Sequence, residues 1–263
     1  MTEPEQAFTF LTCAVAILAG AAGGAVNTLA GNGSAITLPM LVFFGLPWDA
    51  ANGTNRVGVV MGSLVGASTF TRAGVFETRG LPWLMVPIVL GGIVGAIVAS
   101  VLDPKEMGLA IVAVMIFMLV LVLTQPKRWI REDSSAQANF RQASTFLTFF
   151  GIGIYGGFIQ AGVGILLLSA LVLKARYSLV KANAVKVVLV LTFTIPALAI
   201  FIYSDQVRWS WGISMAAGQG IGAWLAARFA VNHPRANIWI RRLLILVIPL
   251  FVVLLFLRTG QDT

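Results

Sequence analysis

Apolar runs of about twenty residues alternate with short polar breaks along almost the whole chain. The hydrocarbon core of a bilayer needs roughly 20 consecutive apolar residues per helix. Runs near that length lie at 7–28, 53–71, 81–102, 107–124, 143–160, 184–203, 209–229 and 238–257. Two others, 34–46 (SAITLPMLVFFGL) and 164–174 (GILLLSALVLK), are too short to span comfortably. The pattern predicts an all-α polytopic integral membrane protein. It would have about eight full transmembrane helices and two short segments, interrupted or re-entrant.

The short runs hold equivalent places. A shift of 131 residues lays Gly31-Asn32-Gly33 on Gly162-Val163-Gly164, Asn52 on Asn183 and Asn55 on Lys186. With a small further offset GGIVGA (91–96) resembles GQGIGA (218–223), and Asp103-Pro104 matches His233-Pro234. Both halves run long, short, long, long, long. The expectation is a duplication, with repeats 1–131 and 132–263.

Composition agrees with a membrane solvent. Of 263 residues 58% are hydrophobic and 11% charged, against about 25% charged in soluble domains. The net charge of +8 does not point to nucleic acid, because excess Lys and Arg mark cytoplasmic loops. The linker 125–142 holds Lys127, Arg128, Arg131 and Arg141 and is therefore expected inside. Counting outward adds Arg72, Arg79, Lys174, Arg176, Lys181, Arg228, Arg235, Arg241 and Arg242 to that side. Lys105, Arg208 and Arg258 fall on the other. MTEPEQ at the N-terminus carries no basic residue, unlike a signal peptide, so the first run reads as a retained segment. Both termini come out extracytoplasmic. Each half then makes an odd number of crossings, so the two repeats are inverted.

Single residues exclude several chemistries. One cysteine, Cys13, allows no internal disulfide and no cysteine-built metal site, and one histidine, His233, no bis-His haem. His233 beside Pro234 reads as a loop residue. No cofactor and no metal are expected, and no enzyme, for want of a buried carboxylate pair or a Cys–His pairing.

The polar stretches carry the candidate chemistry. Irregular backbone survives at membrane depth only inside protein or beside a water-filled cavity. Gly20, Gly23 and Gly24 weaken the first run, and Gly31-Asn32-Gly33 breaks it. Gly151, Gly153, Gly156 and Gly157, then Gly162 and Gly164, do the same in the second half. Each short helix would begin within the protein, with Asn32 or Ser34 able to cap the first. Helix N-termini carry partial positive charge and free donors, which suits an anion. Asn27, Asn32, Ser34, Thr37 and Gln160 would add side-chain donors. Arg56 and Lys186 lie inside spanning runs, where an ionisable residue marks a substrate path. Asn52, Asn55 and Asn183 complete the candidate binding set with Gly31, Gly33, Gly162 and Gly164. No Asp or Glu falls well inside a run, so the site favours anions.

Plainer roles compete for some of these residues. Gly91, Gly92, Gly95, Gly218, Gly220 and Gly222 suit close helix packing. Asn52 and Asn183 could cap the helices that follow. Arg56 and Lys186 could snorkel to the interface.

In GGAVNTLAGNGSAITLPML, GLPWDAANGTNRV, YGGFIQAGVGILLL and KANAVKVV the chain resembles the sulfite exporter TauE/SafE family. The resemblance extends over most of the chain. Asn32 and Ser34 stand where such proteins often have further glycines, and Ala170 where the first repeat has Pro39. The resemblance implies a multi-pass carrier of small anions in the bacterial inner membrane, with sulfite, sulfonates such as sulfoacetate, or thiosulfate as substrates. The expected function is secondary transport, in the direction of export, by alternating access around a midplane site. An anion channel on the same helix ends is the alternative. The expected partners are the anion and the lipid bilayer, and a homodimer is compatible with the pattern.

Overall fold

The computed structural model describes residues 8–124 and 140–232, which form helices with no strand among them. Before the linker come α1 (Phe10–Ala30), α2 (Ser34–Phe43), α3 (Trp48–Arg72), α4 (Leu81–Ser100) and α5 (Pro104–Thr124). After it come α6 (Ala143–Phe158), α7 (Val163–Leu173), α8 (Leu179–Tyr203) and α9 (Trp209–Asn232). The expected span 238–257, His233 and most of the basic linker lie outside the described residues. So do Arg235, Arg241, Arg242 and Arg258.

Every apolar run within the described residues is a helix. Three segments, Phe10–Ala30, Leu81–Ser100 and Val180–Tyr203, are long and apolar enough to cross a membrane. The two short runs are helices of 10 and 11 residues. α3 and α8 begin about a turn earlier than hydropathy suggests. Pro47 and Ser178 are extended at their N-cap positions, and the helix starts directly after each. Hydropathy misses these turns because Asp49 and Asn52, and Lys181 and Asn183, interrupt them, whereas Asp49 complements the helix dipole. Asn52 and Asn183 therefore lie inside helices and cap neither. α2 is entered through Gly33 with no side-chain cap, so neither Asn32 nor Ser34 plays that role.

Glycine seams set the helix packing. α1 lies along α9, where a Cβ on Gly24 would strike the Gln219 backbone and one on Gly218 the Ile17 carbonyl. α4 lies along α6, where Gly91, Gly95, Gly153 and Gly157 each meet the partner's backbone. Small residues allow this approach, and without them the helices would stand further apart. Each seam joins the first helix after one terminus or linker to a helix from the other side of the linker.

The short helices are enclosed. In α2 only Met40 and Phe43 are not fully buried, and Leu38 and Leu41 pack among Ala96, Met107, Phe201 and Trp211. In α7 Val163, Leu167 and Leu171 pack with Leu84 and Ile88 of α4 and Val185 and Leu189 of α8. Outward faces are apolar instead: Val94, Ile97 and Val98 of α4, and Ile221, Leu225 and Phe229 of α9, are exposed.

Charge is segregated along α3. At its Arg72 end Lys181 pairs with Glu77 at 2.8 Å, and the Tyr177 hydroxyl donates to the Arg79 carbonyl. Lys174 donates to Thr148 Oγ1 at 2.7 Å, and Arg141 stacks over Trp83. At the Trp48 end Gln206 Nε2 bridges the Ser100 carbonyl (3.1 Å) and Asp49 (3.4 Å).

Candidate functional site

The two breaks meet. Gly31 ends α1 with φ +74, and Gly162 opens α7 with φ +75, a left-handed conformation that glycine adopts without a Cβ clash. The Gly164 amide, in the first turn of α7, donates to the Gly31 carbonyl at 3.0 Å. A Cβ on either glycine would collide with the other's backbone. The start of α7 therefore rests on the gap that leads into α2.

Next to this crossing sits a network that ties α2 to α3. Thr37 Oγ1 donates to Asn55 Oδ1 at 2.5 Å, and Asn55 Nδ2 donates to Ser34 Oγ at 2.9 Å. All three residues are buried. A buried amide with both ends paired fixes the entry to α2 and leaves no polar group of its own without a partner.

The two buried cations are engaged with helix ends. Arg56 on α3 donates to the carbonyls of Gly156 (3.0 Å) and Gly157 (2.6 Å), and to Gln160 Oε1 (3.1 Å). Asn52, one turn earlier, donates to the Phe158 carbonyl at 2.9 Å. Phe201 faces the guanidinium with its ring centroid 4.7 Å away. On α8, Lys186 donates to the carbonyls of Asn27 (2.9 Å) and Thr28 (2.8 Å), and to Asn183 Oδ1 (3.0 Å). Both residues are at most 1% exposed, so neither snorkels to an interface. The last carbonyls of a helix lack intrahelical partners and carry partial negative charge, which a cation complements. Arg56 thus closes the end of α6, and Lys186 the end of α1.

Several buried side-chain atoms have no partner among the described residues. At the crossing these are Asn32 Nδ2 and Oδ1, Gln160 Nε2 and Arg56 Nε. Asn32 precedes the α2 entry, and Gln160 lies in the α6–α7 break with its other end held by Arg56. A buried amide donor without an acceptor costs about 1–3 kcal/mol. Three buried donors, Asn32 Nδ2, Gln160 Nε2 and Arg56 Nε, thus lie beside two helix entries with no carboxylate in the set, a chemistry that matches a small oxyanion.

Of the residues expected at a binding site, Gly31, Asn32, Gln160, Gly162, Gly164 and Arg56 come together at the crossing. Ser34, Thr37 and Asn55 support it. Asn27, Asn183 and Lys186 form the second clasp, in which Asn27 takes part through its carbonyl. Sequence reasoning missed the carbonyls of Thr28, Gly156, Gly157 and Phe158. A signal was present: Asn52–Arg56 and Asn183–Lys186 have helical spacings of four and three, which put each pair on one face.

A family model described as sulfite exporter TauE/SafE matches residues 16–256. The chain belongs to the TauE/SafE family. Its similarity to curated members is low in identity and nearly complete in length. It is 26% identical over 252 residues to a "Probable membrane transporter protein" of Haemophilus influenzae, covering 94% of this chain and 93% of that one. It is 25% identical to "Probable membrane transporter protein ORF9" of a Sinorhizobium species, with 86% of each chain covered. "Probable membrane transporter protein YfcA" of Escherichia coli K12 is 24% identical, with 94% of this chain and 90% of that one covered. No solved structure matches. TauE/SafE membership and the long apolar helices make this a multi-pass membrane protein.

Proposed function

We propose that this TauE/SafE protein is a secondary transporter that exports a small sulfur-containing anion across the bacterial inner membrane. Candidate cargoes are sulfite, a sulfonate such as sulfoacetate, and thiosulfate. The observation that carries the reading is the contact of Gly164 with Gly31, flanked by the unpartnered donors of Asn32, Gln160 and Arg56. Each of these donors could bind an oxyanion oxygen. The relatives' names as membrane transporters support the same class of function.

Residues 1–131 and 132–263 would be inverted repeats, with the termini outside and the linker 125–142 inside. Two reciprocal relationships support this arrangement. α1 packs along α9 while α6 packs along α4. The cation of each half closes the broken helix of the other. The gathering of Arg79, Arg141, Lys174 and Lys181 at one end supports the assignment of that end to the cytoplasm. Rocking of the halves about the crossing would expose the site to each side in turn. An inside-negative potential favours exit by about 2.3 kcal/mol per charge per 100 mV, so export needs no coupled ion. The residues that would bind the anion are Asn32, Gln160 and Arg56, with the backbone of Gly31, Gly33, Gly162 and Gly164. Asn27, Ser34, Thr37, Asn52, Asn55, Asn183 and Lys186 would hold that backbone in place.

The purified protein should be heated with sulfite, sulfate, thiosulfate and short alkanesulfonates. A ligand at 100 times its Kd stabilises by about 2.7 kcal/mol, so a concentration-dependent rise in Tm is expected with at least one sulfur anion. No rise with any of them would contradict the reading. Unitary currents in planar bilayers would replace the carrier with a channel using the same site.

A further inference from the structure

The unpartnered polar atoms are not scattered. Four of them, Asp49 Oδ1, Asn52 Oδ1, Arg56 Nε and Ser63 Oγ, belong to α3. Their spacings of three, four and seven residues return to the same face: at 100° per residue all four fall within an arc of about 60°. The row extends for about 21 Å along the helix axis. It begins at the Asp49 end, passes the Arg56 clasp and ends at Ser63, beyond the crossing.

Ser63 stands out against its neighbours. Ser68, Thr69 and Thr71 on the same helix donate back to carbonyls of α3, at 2.9, 2.8 and 2.9 Å. A helical hydroxyl inside an apolar environment ordinarily does this. Ser63 is 1% exposed, and its hydroxyl has no partner among the described residues. One turn on, Gly66 lies against Thr28, whose carbonyl receives Lys186. Gln219 of α9 lies over Gly58 and Gly62, about 100–140° around α3 from Ser63 and so beside the row; it is 1% exposed, and its Nε2 also has no partner among the described residues. A row of such groups costs stability at every step.

We propose that this face of α3 lines a hydrated path for the anion, and that Ser63, with Gln219 beside it, forms the portion toward the Arg72 end. The path rests on the transport reading for its cargo, but its hydration does not. Ser63 and Gln219 offer small neutral donors, so an anion leaving the crossing is passed along hydrogen bonds on this stretch.

The test uses the single native cysteine. In a Cys13→Ser background, Ser63→Cys and, separately, Gln219→Cys are introduced into the full-length protein. Leu64→Cys, on the exposed apolar surface, serves as the reference. Each is treated in proteoliposomes with the anionic sulfonatoethyl methanethiosulfonate and a cationic trimethylammonium analogue, without substrate. Such reagents need a solvated thiolate. Ser63→Cys and Gln219→Cys should react about ten-fold or more faster than Leu64→Cys, and ethanesulfonate should slow the reaction. Reaction at both positions that ethanesulfonate leaves unchanged keeps the hydrated path and overturns the anion as its cargo. Failure of both folded variants to react faster than Leu64→Cys, with either reagent, overturns the path itself.

Discussion

The amide of Gly164 donates to the carbonyl of Gly31 across 3.0 Å. This bond joins segments more than 130 residues apart in the chain, and it exists only because neither residue has a side chain. Gly31→Ala adds a left-handed strain of about 1–2 kcal/mol to an overpacking cost of about 1–3 kcal/mol. Gly164→Ala bears the second cost alone, against backbone that has no flexible end to give way. Gly151, with open space where a Cβ would go, is the control. Thermal unfolding in detergent should rank Gly31→Ala below Gly164→Ala, with Gly151→Ala near the parent.

Asn32 gives the opposite signature, and Gln160 a mixed one. Removing a buried donor that has no acceptor relieves a desolvation penalty. Asn32→Ala should therefore leave the ligand-free Tm unchanged or raised, while the Tm rise produced by a sulfur anion falls at least several-fold in concentration dependence. Gln160→Ala also frees one Arg56 bond and should lose anion response with a small drop in Tm. A loss of stability without loss of anion response would assign both residues to structure.

The cation clasps predict a difference between charge and geometry. Arg56→Ala leaves the carbonyls of Gly156 and Gly157 buried without donors, at about 1–3 kcal/mol for each. Arg56→Lys keeps the charge but not the fork that spans both carbonyls, and should recover part of the loss. Lys186 needs only a point charge with three donors, matching its three acceptors. Lys186→Met should cost more stability than Arg56→Lys. Denaturation of the four proteins in the same detergent checks the order.

The helix positions were legible in the sequence because a twenty-residue apolar run has one stable form in lipid. The breaks were legible because Gly-Asn-Gly cannot continue a helix cheaply. The role of Arg56 and Lys186 was not. A cation inside an apolar run reads the same whether its partner is a ligand or a helix end, since the carbonyls of Thr28 and Gly157 leave no trace in side-chain pattern. Hydropathy placed the starts of α3 and α8 late for a related reason. The residues Trp48 to Asn52 are helical because Pro47 sets the chain's direction into the turn, not because they are greasy.

Tyr177 offers a pH-dependent check on the basic end, away from the spans. Burial, and then the nearby Glu77 carboxylate, push its phenol up to about 12. The neutral form is the one that donates to the Arg79 carbonyl. Its contribution is whole below the ordinary tyrosine value near 10 and is lost as pH rises from there through about 12. Tyr177→Phe should unfold more readily at neutral pH, by about 1 kcal/mol, and lose that part of the parent's alkaline destabilisation.

The most direct measurement is flux of labelled sulfoacetate out of proteoliposomes holding only this protein, with an inside-negative potential set by a potassium gradient and valinomycin. Efflux that rises with the potential, saturates with substrate and disappears in Asn32→Ala is the predicted result. Efflux no faster than from protein-free liposomes, for sulfoacetate, sulfite and thiosulfate alike, would contradict an anion site at the crossing of the two breaks.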